Sequence, residues 1–371
     1  MTHKVLITTN PLNHEGGVVN YYRTFLKHFR SDTISLVHLT FGSRMEHFYS
    51  PWKKLILYPV FYCFDLFRFF GRLLSDKDIL IVQVSPSLIP VPLVRDAFIV
   101  MAAKLLSRRV VVFYRGWKED IVSMFKKRSF IRKIFQFVYG RADVTMVLAS
   151  HFKEDLVEFG WCPDSIKVTT TMYVADEILP AKDRSKKRPR FLFLGRLSHL
   201  KGIGELIDAA KLLADKNLDF EFLMVGHGDR KGVVEDYKSK IKEYNLGNRF
   251  HFTGRLEGKE KYQAFADSDI YVFPSWTEGC PTSVLEALGA GLFIISTDVG
   301  ALRDIIVAGK NGKIVRCRDH HHLAETMAWA CDNIEEIRNC RQKIQEDAKN
   351  HYTTEIITEQ FATLYQSLVD E

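Results

Sequence analysis

Tyr271-Val-Phe-Pro-Ser275-Trp-Thr-Glu278-Gly279-Cys280-Pro281-Thr282-Ser283-Val284-Leu285-Glu286-Ala287 decides how this chain reads. An apolar run of strand length enters a polar turn and leaves it as a helix with Pro at its start. Glu278 falls in the turn and Glu286 about one turn inside the helix. Both carboxylates then face the space above the strand's carboxyl end. A carboxylate accepts paired hydroxyl hydrogen bonds, and the helix N-terminus between them favours phosphate. The trio suits a ligand with hydroxyls at both ends and a diphosphate between, which describes a nucleotide sugar. Two acids stabilising a helix dipole is the plainer reading of Glu278 by itself, but it leaves the neighbouring motif unexplained.

That neighbour is Phe191-Leu-Phe-Leu-Gly195-Arg196-Leu-Ser-His-Leu-Lys201-Gly202. A strand ends at Gly195 and a helix starts near Gly202, so Arg196 and Lys201 stand at the two sides of one turn. Arg supplies a planar fork and Lys a point charge, and both can meet one anion. A departing diphosphate is what such a pair would stabilise; a surface salt bridge is the structural alternative. A third turn, Gly226-His-Gly228-Asp229, superficially suggests a dinucleotide fingerprint. Gly226, Gly228 and Gly232 have the wrong spacing for it, and a nicotinamide site is discounted. A fourth, His14-Glu15-Gly16-Gly17, precedes a helix and could bring backbone amides to a phosphate, although a plain loop reads as well.

Outward from these turns the chain alternates short apolar runs with amphipathic segments, as α/β units do. Strands are expected near 3–9, 33–39, 79–84, 109–114, 143–148 and 166–171, then at 190–195, 220–225, 249–253, 269–273, 293–296 and 313–316. Helices are expected near 17–30, 52–74, 91–107, 120–139 and 150–159, then at 202–216, 230–245, 258–267, 282–290, 300–308, 319–348 and 353–369. The charged segment 182–189 reads as a linker. The expectation is two doubly wound Rossmann-like domains, 1–180 and 181–350, with an interdomain cleft as the default site. The last segment, 351–371, follows as a helix.

The chain has 371 residues, 46% apolar and 26% charged, which excludes disorder and collagen-like repeats. Its six cysteines are far apart, so reduced thiols are expected and a thiolate zinc site is not. The first apolar run ends at Ile7, too short for the apolar region of a signal peptide, and no run reaches the ~18–20 apolar residues of a spanning helix. Residues 1–180 carry a net charge of +8 and the remainder −1. A basic, aromatic half suggests an anionic membrane face, a phosphorylated lipid or an acidic saccharide as partner; a solvated helix face is the bland alternative. The patch Phe61-Tyr62, Phe64, Phe67, Phe69-Phe70 reads as part core and part bilayer edge, with Lys53, Lys54, Arg68 and Arg72 at headgroups. No nucleic-acid module is visible. The contiguous His320-His321-His322 run points in different directions on a helix, which disfavours a metal site.

Taken together, these residues resemble the family-four retaining glycosyltransferases of GT-B fold, the group 1 glycosyl transferases. The resemblance follows nearly the whole chain in order of elements and is strongest over 190–316. It rests on Gly195-Arg196-x4-Lys201-Gly202 and on Glu278-x7-Glu286 within Glu-Gly-Cys-Pro-x3-Leu-Glu-Ala. It implies catalytic roles for Arg196, Lys201 and Glu278. Arg196 and Lys201 would neutralise the donor diphosphate; Glu278 with the amides of Gly279 and Cys280 would hold the transferred sugar. Thr282 would meet phosphate, Glu286 the ribose, and backbone near Arg255 and Leu256 the base. Gly16 and Gly17 would reach the diphosphate from the N-terminal domain, and 351–371 would cross back to that domain. Where the family often has His before Gly, this chain has Arg115-Gly116. Arg115 cannot act as a base; it could contact donor or acceptor anions, or pair with Glu119.

The resemblance further implies no cofactor and a UDP- or GDP-linked sugar as substrate; the basic, aromatic N-terminal half points to a glycan or lipid-linked acceptor of cell-surface polysaccharide or lipopolysaccharide. Location would be cytoplasmic, at the inner face of the plasma membrane. No Asp-x-Asp motif for a divalent metal is evident, so metal-independent transfer is expected. A nucleotide-sugar epimerase of the same shape and a catalytically silent sugar-nucleotide-binding subunit are the other readings.

Overall fold

The computed structural model describes residues 2–14, 16–41, 51–184 and 187–371, the side chains of 51–59 excepted. Glu15, Ser185, Lys186 and the side chains of Lys53 and Lys54 thus lie outside the described residues. The chain divides into two units, Met1–Thr170 with Thr354–Glu371, and Thr171–Thr353.

The first unit runs β1 (His3–Thr9), α1 (Gly17–His28), β2 (Ile34–Thr40), α2 (Pro51–Ser75), β3 (Ile79–Val84), α3 (Pro90–Leu105), β4 (Arg109–Phe113), α4 (Glu119–Lys127), α5 (Ser129–Tyr139), β5 (Val144–Val147), α6 (Ser150–Glu158) and β6 (Ile166–Val168). Its strands form one parallel sheet in the order β2-β1-β3-β4-β5-β6. The second unit runs β7 (Arg190–Leu194), α7 (Ile203–Asp215), β8 (Glu221–Val225), α8 (Val233–Glu243), β9 (Phe250–Gly254), α9 (Gly258–Ala266), β10 (Ile270–Phe273), α10 (Thr282–Gly289), β11 (Phe293–Thr297), α11 (Leu302–Ile305), β12 (Gly312–Val315), α12 (His320–Asp332), α13 (Ile334–Asn339) and α14 (Arg341–Tyr352). Its parallel sheet has the order β12-β11-β10-β7-β8-β9. The final helix, α15 (Thr354–Asp370), returns to the first unit. There Phe361 packs on Phe25 at 4.9 Å, and the Tyr365 hydroxyl donates to Gln83 Oε1 at 2.6 Å.

Continuous apolar strands such as Phe191-Leu192-Phe193 are buried on both faces, as parallel sheets require. Helix α7 buries Ile203, Leu206, Ile207, Ala210 and Leu213, one helical stripe. Strand order reverses between β1 and β3 in the first sheet and between β7 and β10 in the second. In open sheets such a reversal opens a crevice at the strands' carboxyl ends, where ligands bind.

Several elements differ from expectation. Segment 120–139 is two helices broken at Arg128, which lets Phe125 of α4 stack on Phe135 of α5 at 4.5 Å. Segment 319–348 is three helices; at the first break Asn333 Nδ2 caps the Trp329 carbonyl at 2.8 Å. Segment 300–308 keeps only the four residues of α11, because Asn311 Oδ1 takes the Val307 N–H at 2.8 Å. The expected linker, 182–189, lies inside the second unit. Its Arg184 is buried, with Nε donating to Asp269 at 3.0 Å and Nη2 to Glu221 at 2.9 Å.

Glu221 also accepts from Arg190 at 2.6 Å and Arg188 at 3.1 Å. Burial by itself would raise its carboxyl; hydrogen bonds from Arg190, Arg184 and Arg188 outweigh burial and bring it down to about 2. A depressed folded value stabilises the fold above the unfolded carboxylate range, and that stabilisation is lost as pH falls towards 2. The contribution is on the order of 3 kcal/mol. Urea melts should show wild type well above Glu221→Gln at pH 7 and the gap closing below about pH 4.5. A gap that stays constant down to pH 3 would refute this role.

Candidate functional site

The β7 and β10 turns face each other at the second sheet's reversal, and backbone bonds knit them. Trp276 N–H donates to Leu200 O at 2.9 Å, and Ala301 N–H, after β11, donates to Gly279 O at 2.7 Å. Gly202 adopts φ 70°, and a Cβ there would lie 2.1 Å from Pro274 O. Only glycine permits that close approach of the two turns. Gly226 has a similar task after β8: a Cβ there would lie 1.8 Å from Gly195 O. Turn-to-turn packing thus accounts for the glycine that superficially suggested a dinucleotide motif.

On this frame Lys201 Nζ pairs with Glu278 Oε1, and the Ser275 hydroxyl donates to the same carboxylate oxygen at 2.8 Å. Arg196, just past Gly195, is exposed and has no ion-pair or hydrogen-bond partner among the described residues. Gly279 and Cys280 continue the turn. The Cys280 side chain is buried, and its Sγ accepts from Thr171 N–H at 3.4 Å. Thr282 opens α10, whose N-terminus has no side-chain cap and no acid in its first turn. Its positive dipole end therefore stands beside Glu278 without a fixed counter-charge.

Glu286 sits deeper. It is buried, accepts from Lys261 Nζ at 2.7 Å and lies 3.4 Å from the Tyr262 hydroxyl, which also bonds Glu177. Burial pushes the Glu286 carboxyl up, and Lys261 opposes this. The two acids share a neighbour in Tyr271, whose hydroxyl lies 2.8 Å from Leu194 O and 2.9 Å from Ser283 Oγ. Burial raises that phenol, and the charges of Glu286 and Glu278 add to the rise. Arg196, Lys201, Glu278 and Glu286 thus belong to one strand-end region, with Lys201–Glu278 in direct contact and Glu286 committed to Lys261. Leu256 lines a cavity of 440 Å³ with Leu223, Thr253, Lys259 and Gln263, and Arg255 pairs with Glu257 at 2.6 Å.

Lys261, Tyr262 and Ser275 have no motif of their own. Lys261 reads as a solvated position on α9, and its distance from Glu286 along the chain carries no periodic signal.

Gly16, Gly17 and Arg115 belong to the first unit. Gly16 precedes α1, which has neither a side-chain cap nor a first-turn acid. Arg115 follows β4 and is buried. Its guanidinium lies 3.7 Å from the Tyr21 ring centroid, while Nε and Nη1 have no hydrogen-bond partner. The ion pair with Glu119 is not formed; the aromatic face of Tyr21 takes the cation instead.

Two Asp-x-Asp spacings do occur, and both hold cations of the fold. Asp76 and Asp78 bind Lys4 at 3.0 and 3.4 Å; Asp267 and Asp269 bind Lys182 and Arg184 at 2.7 and 3.0 Å. In the histidine run, His322 N–H donates to Asp319 at 2.9 Å and its Nδ1 accepts from Arg316 N–H at 3.1 Å. Among the described residues no group of three His, Cys, Asp or Glu is placed to hold a metal ion, and no helix is long and apolar enough to cross a membrane.

Residues 174–350, which contain the whole strand-end region, match the family model of glycosyl transferases group 1. The 2-deoxystreptamine N-acetyl-D-glucosaminyltransferase of Niallia circulans is 29% identical over 176 residues, 47% of this chain and 44% of that protein. The amylovoran biosynthesis glycosyltransferase AmsK of Erwinia amylovora is 22% identical over 231 residues, 59% of this chain and 56% of that one. The chain thus spans about half the length of these two curated relatives. Among solved structures, Anabaena Alr3699/HepE in complex with UDP superposes with a TM-score of 0.74 at 16% identity, covering 99% of this chain and 100% of that one. The fold is therefore GT-B, α/β with two doubly wound parallel-sheet units.

Proposed function

We propose that this chain is a group 1 glycosyltransferase that moves a sugar from a nucleotide diphosphate donor to an acceptor with retention of configuration. The observation that carries the reading is the Lys201–Glu278 pair beside an uncapped helix start at the β7/β10 reversal, with the exposed Arg196 on the same turn after β7. Arg196 and Lys201 neutralise the diphosphate as charge develops on it. Glu278 and the Gly279 and Cys280 amides hold the sugar, Thr282 meets phosphate, and Glu286 takes the ribose hydroxyls. The Leu256 region faces the base. In the first unit Gly16 and Gly17 offer backbone amides to a phosphate, and Arg115 contacts an anion.

In this mechanism the acceptor hydroxyl attacks from the face the diphosphate leaves, and a diphosphate oxygen takes its proton. The protein positions the partners and stabilises charge, without a metal. The acceptor is a glycan or lipid-linked saccharide of cell-surface polysaccharide or lipopolysaccharide, met at the cytoplasmic side of the membrane. The amylovoran biosynthesis relative supports the polysaccharide reading, and the UDP complex of HepE supports a nucleotide-linked donor.

A thermal-shift screen against uridine, guanosine, adenosine and cytidine diphosphates and their sugars tests the donor. A ligand at a hundredfold its Kd stabilises the folded state by about 2.7 kcal/mol. UDP- or GDP-linked sugars should raise the midpoint most. No shift with any of the four classes would refute the reading.

A further inference from the structure

Three helices of the first unit each carry an apolar stripe on the outside. On α2 it is Val60, Phe64, Phe67 and Leu74; on α3, Val91, Val94, Phe98, Met101 and Leu105; on α5, Phe130, Ile134 and Phe137. Steps of three and four residues keep each set on one helical face. Exposure is far beyond that of scattered surface apolar residues: Phe67 76%, Leu105 80% and Phe130 74%. The same helices also have a core face, formed by Phe69 and Leu73, by Ile99, Val100 and Ala103, and by Phe135 and Tyr139. Core packing therefore does not account for the outer stripes.

The three stripes are neighbours. Tyr62 of α2 meets Phe98 of α3 edge-on at 6.2 Å. The Tyr139 hydroxyl of α5 donates to Leu93 O of α3 at 2.6 Å. Arg141, just past α5, lies over Phe137 at 3.7 Å and reaches Met101 Sδ at 3.8 Å. An apolar surface of this extent marks an interaction site.

Charge decides the occupant. Helices α2, α3 and α5 contain only two carboxylates, Asp65 and Asp96, and both are buried. Arg68, Arg72, Arg132 and Lys133 lie on the same three helices. Arg132 and Lys133 have no ion-pair partner among the described residues. A second copy of this chain would set cations against the same cations, because a two-fold interface pairs a patch with itself. A bilayer with anionic headgroups takes both features: apolar side chains enter the acyl boundary while Arg and Lys reach the phosphates.

We propose that the outer faces of α2, α3 and α5 form a docking surface for an anionic lipid bilayer. The proposal does not rest on the glycosyltransferase reading, and its assay contains neither donor nor acceptor. Full-length chain is sedimented with sucrose-loaded vesicles of phosphatidylcholine alone or mixed with phosphatidylglycerol. Wild type should pellet with the mixed vesicles and stay soluble with the neutral ones. Phe67→Ser, Phe98→Ser and Phe130→Ser combined should weaken binding about tenfold or more. Arg132→Gln with Lys133→Gln, which leaves every apolar side chain in place, should weaken it too, and added salt should mimic that pair. Three results would each overturn the proposal: wild type left in the supernatant with mixed vesicles, a serine triple variant that pellets like wild type, or a dimer in light scattering that the triple variant splits.

Discussion

Arg196→Ala and Lys201→Ala should each lower turnover by ~10²-fold or more, the scale of a lost transition-state donor. The two losses should differ in character. Arg196 is exposed and has no partner among the described residues, so its removal leaves the folded protein intact and takes away only what it does for a ligand. Lys201 also neutralises Glu278, and its removal leaves that carboxylate with Ser275 alone among the bonds described here. Lys201→Ala should therefore weaken donor binding as well as turnover, through an acid no longer balanced beside a diphosphate. Arg196→Lys should restore part of the lost rate, since a point charge replaces a fork. Steady-state kinetics with saturating acceptor read both effects. Wild-type turnover in Arg196→Ala would remove it from the machinery.

The largest loss of stability is expected at Asp269→Ala. Asp269 is buried and accepts from Arg184 Nε at 3.0 Å, Arg338 Nε at 3.1 Å and Arg190 N–H at 2.9 Å. Arg184 is itself buried and would keep only Glu221 of its two carboxylate partners, while Arg338 would lose Asp269 and keep Glu335. Breaking a buried pair from one side costs ~3–5 kcal/mol. The second unit should unfold at markedly lower urea, while Asp267→Ala, whose partner Lys182 is exposed, should cost under ~1 kcal/mol. Equal midpoints for the two variants would show that the cluster is not a buried network.

That cluster also marks where sequence reading stops. Lys182 to Pro189 is polar and charged, the composition of a linker, and nothing local announces that Arg184 meets Glu221 and Asp269, 37 and 85 positions away. The breaks at Arg128, Asn333 and Cys340 carry neither Gly nor Pro, so periodicity runs through them. What was legible follows from geometry. Apolar runs such as Phe191 to Leu194 read as buried parallel strands, and the turns after them fall at carboxyl ends. Lys201 and Glu278, 77 positions apart, were predictable as neighbours because two strand ends place them there. Lys261 was not, because a lysine within an amphipathic helix looks the same whether it meets water or a buried glutamate.

The most direct test of the account compares nucleoside diphosphate with nucleoside monophosphate binding by calorimetry, in wild type and in Arg196→Ala/Lys201→Ala. The outer phosphate is the group these two cations are assigned to hold. Wild type should prefer the diphosphate by about tenfold or more, and the double variant should lose that preference while keeping its monophosphate affinity. A double variant that still prefers the diphosphate by the wild-type ratio would contradict the account.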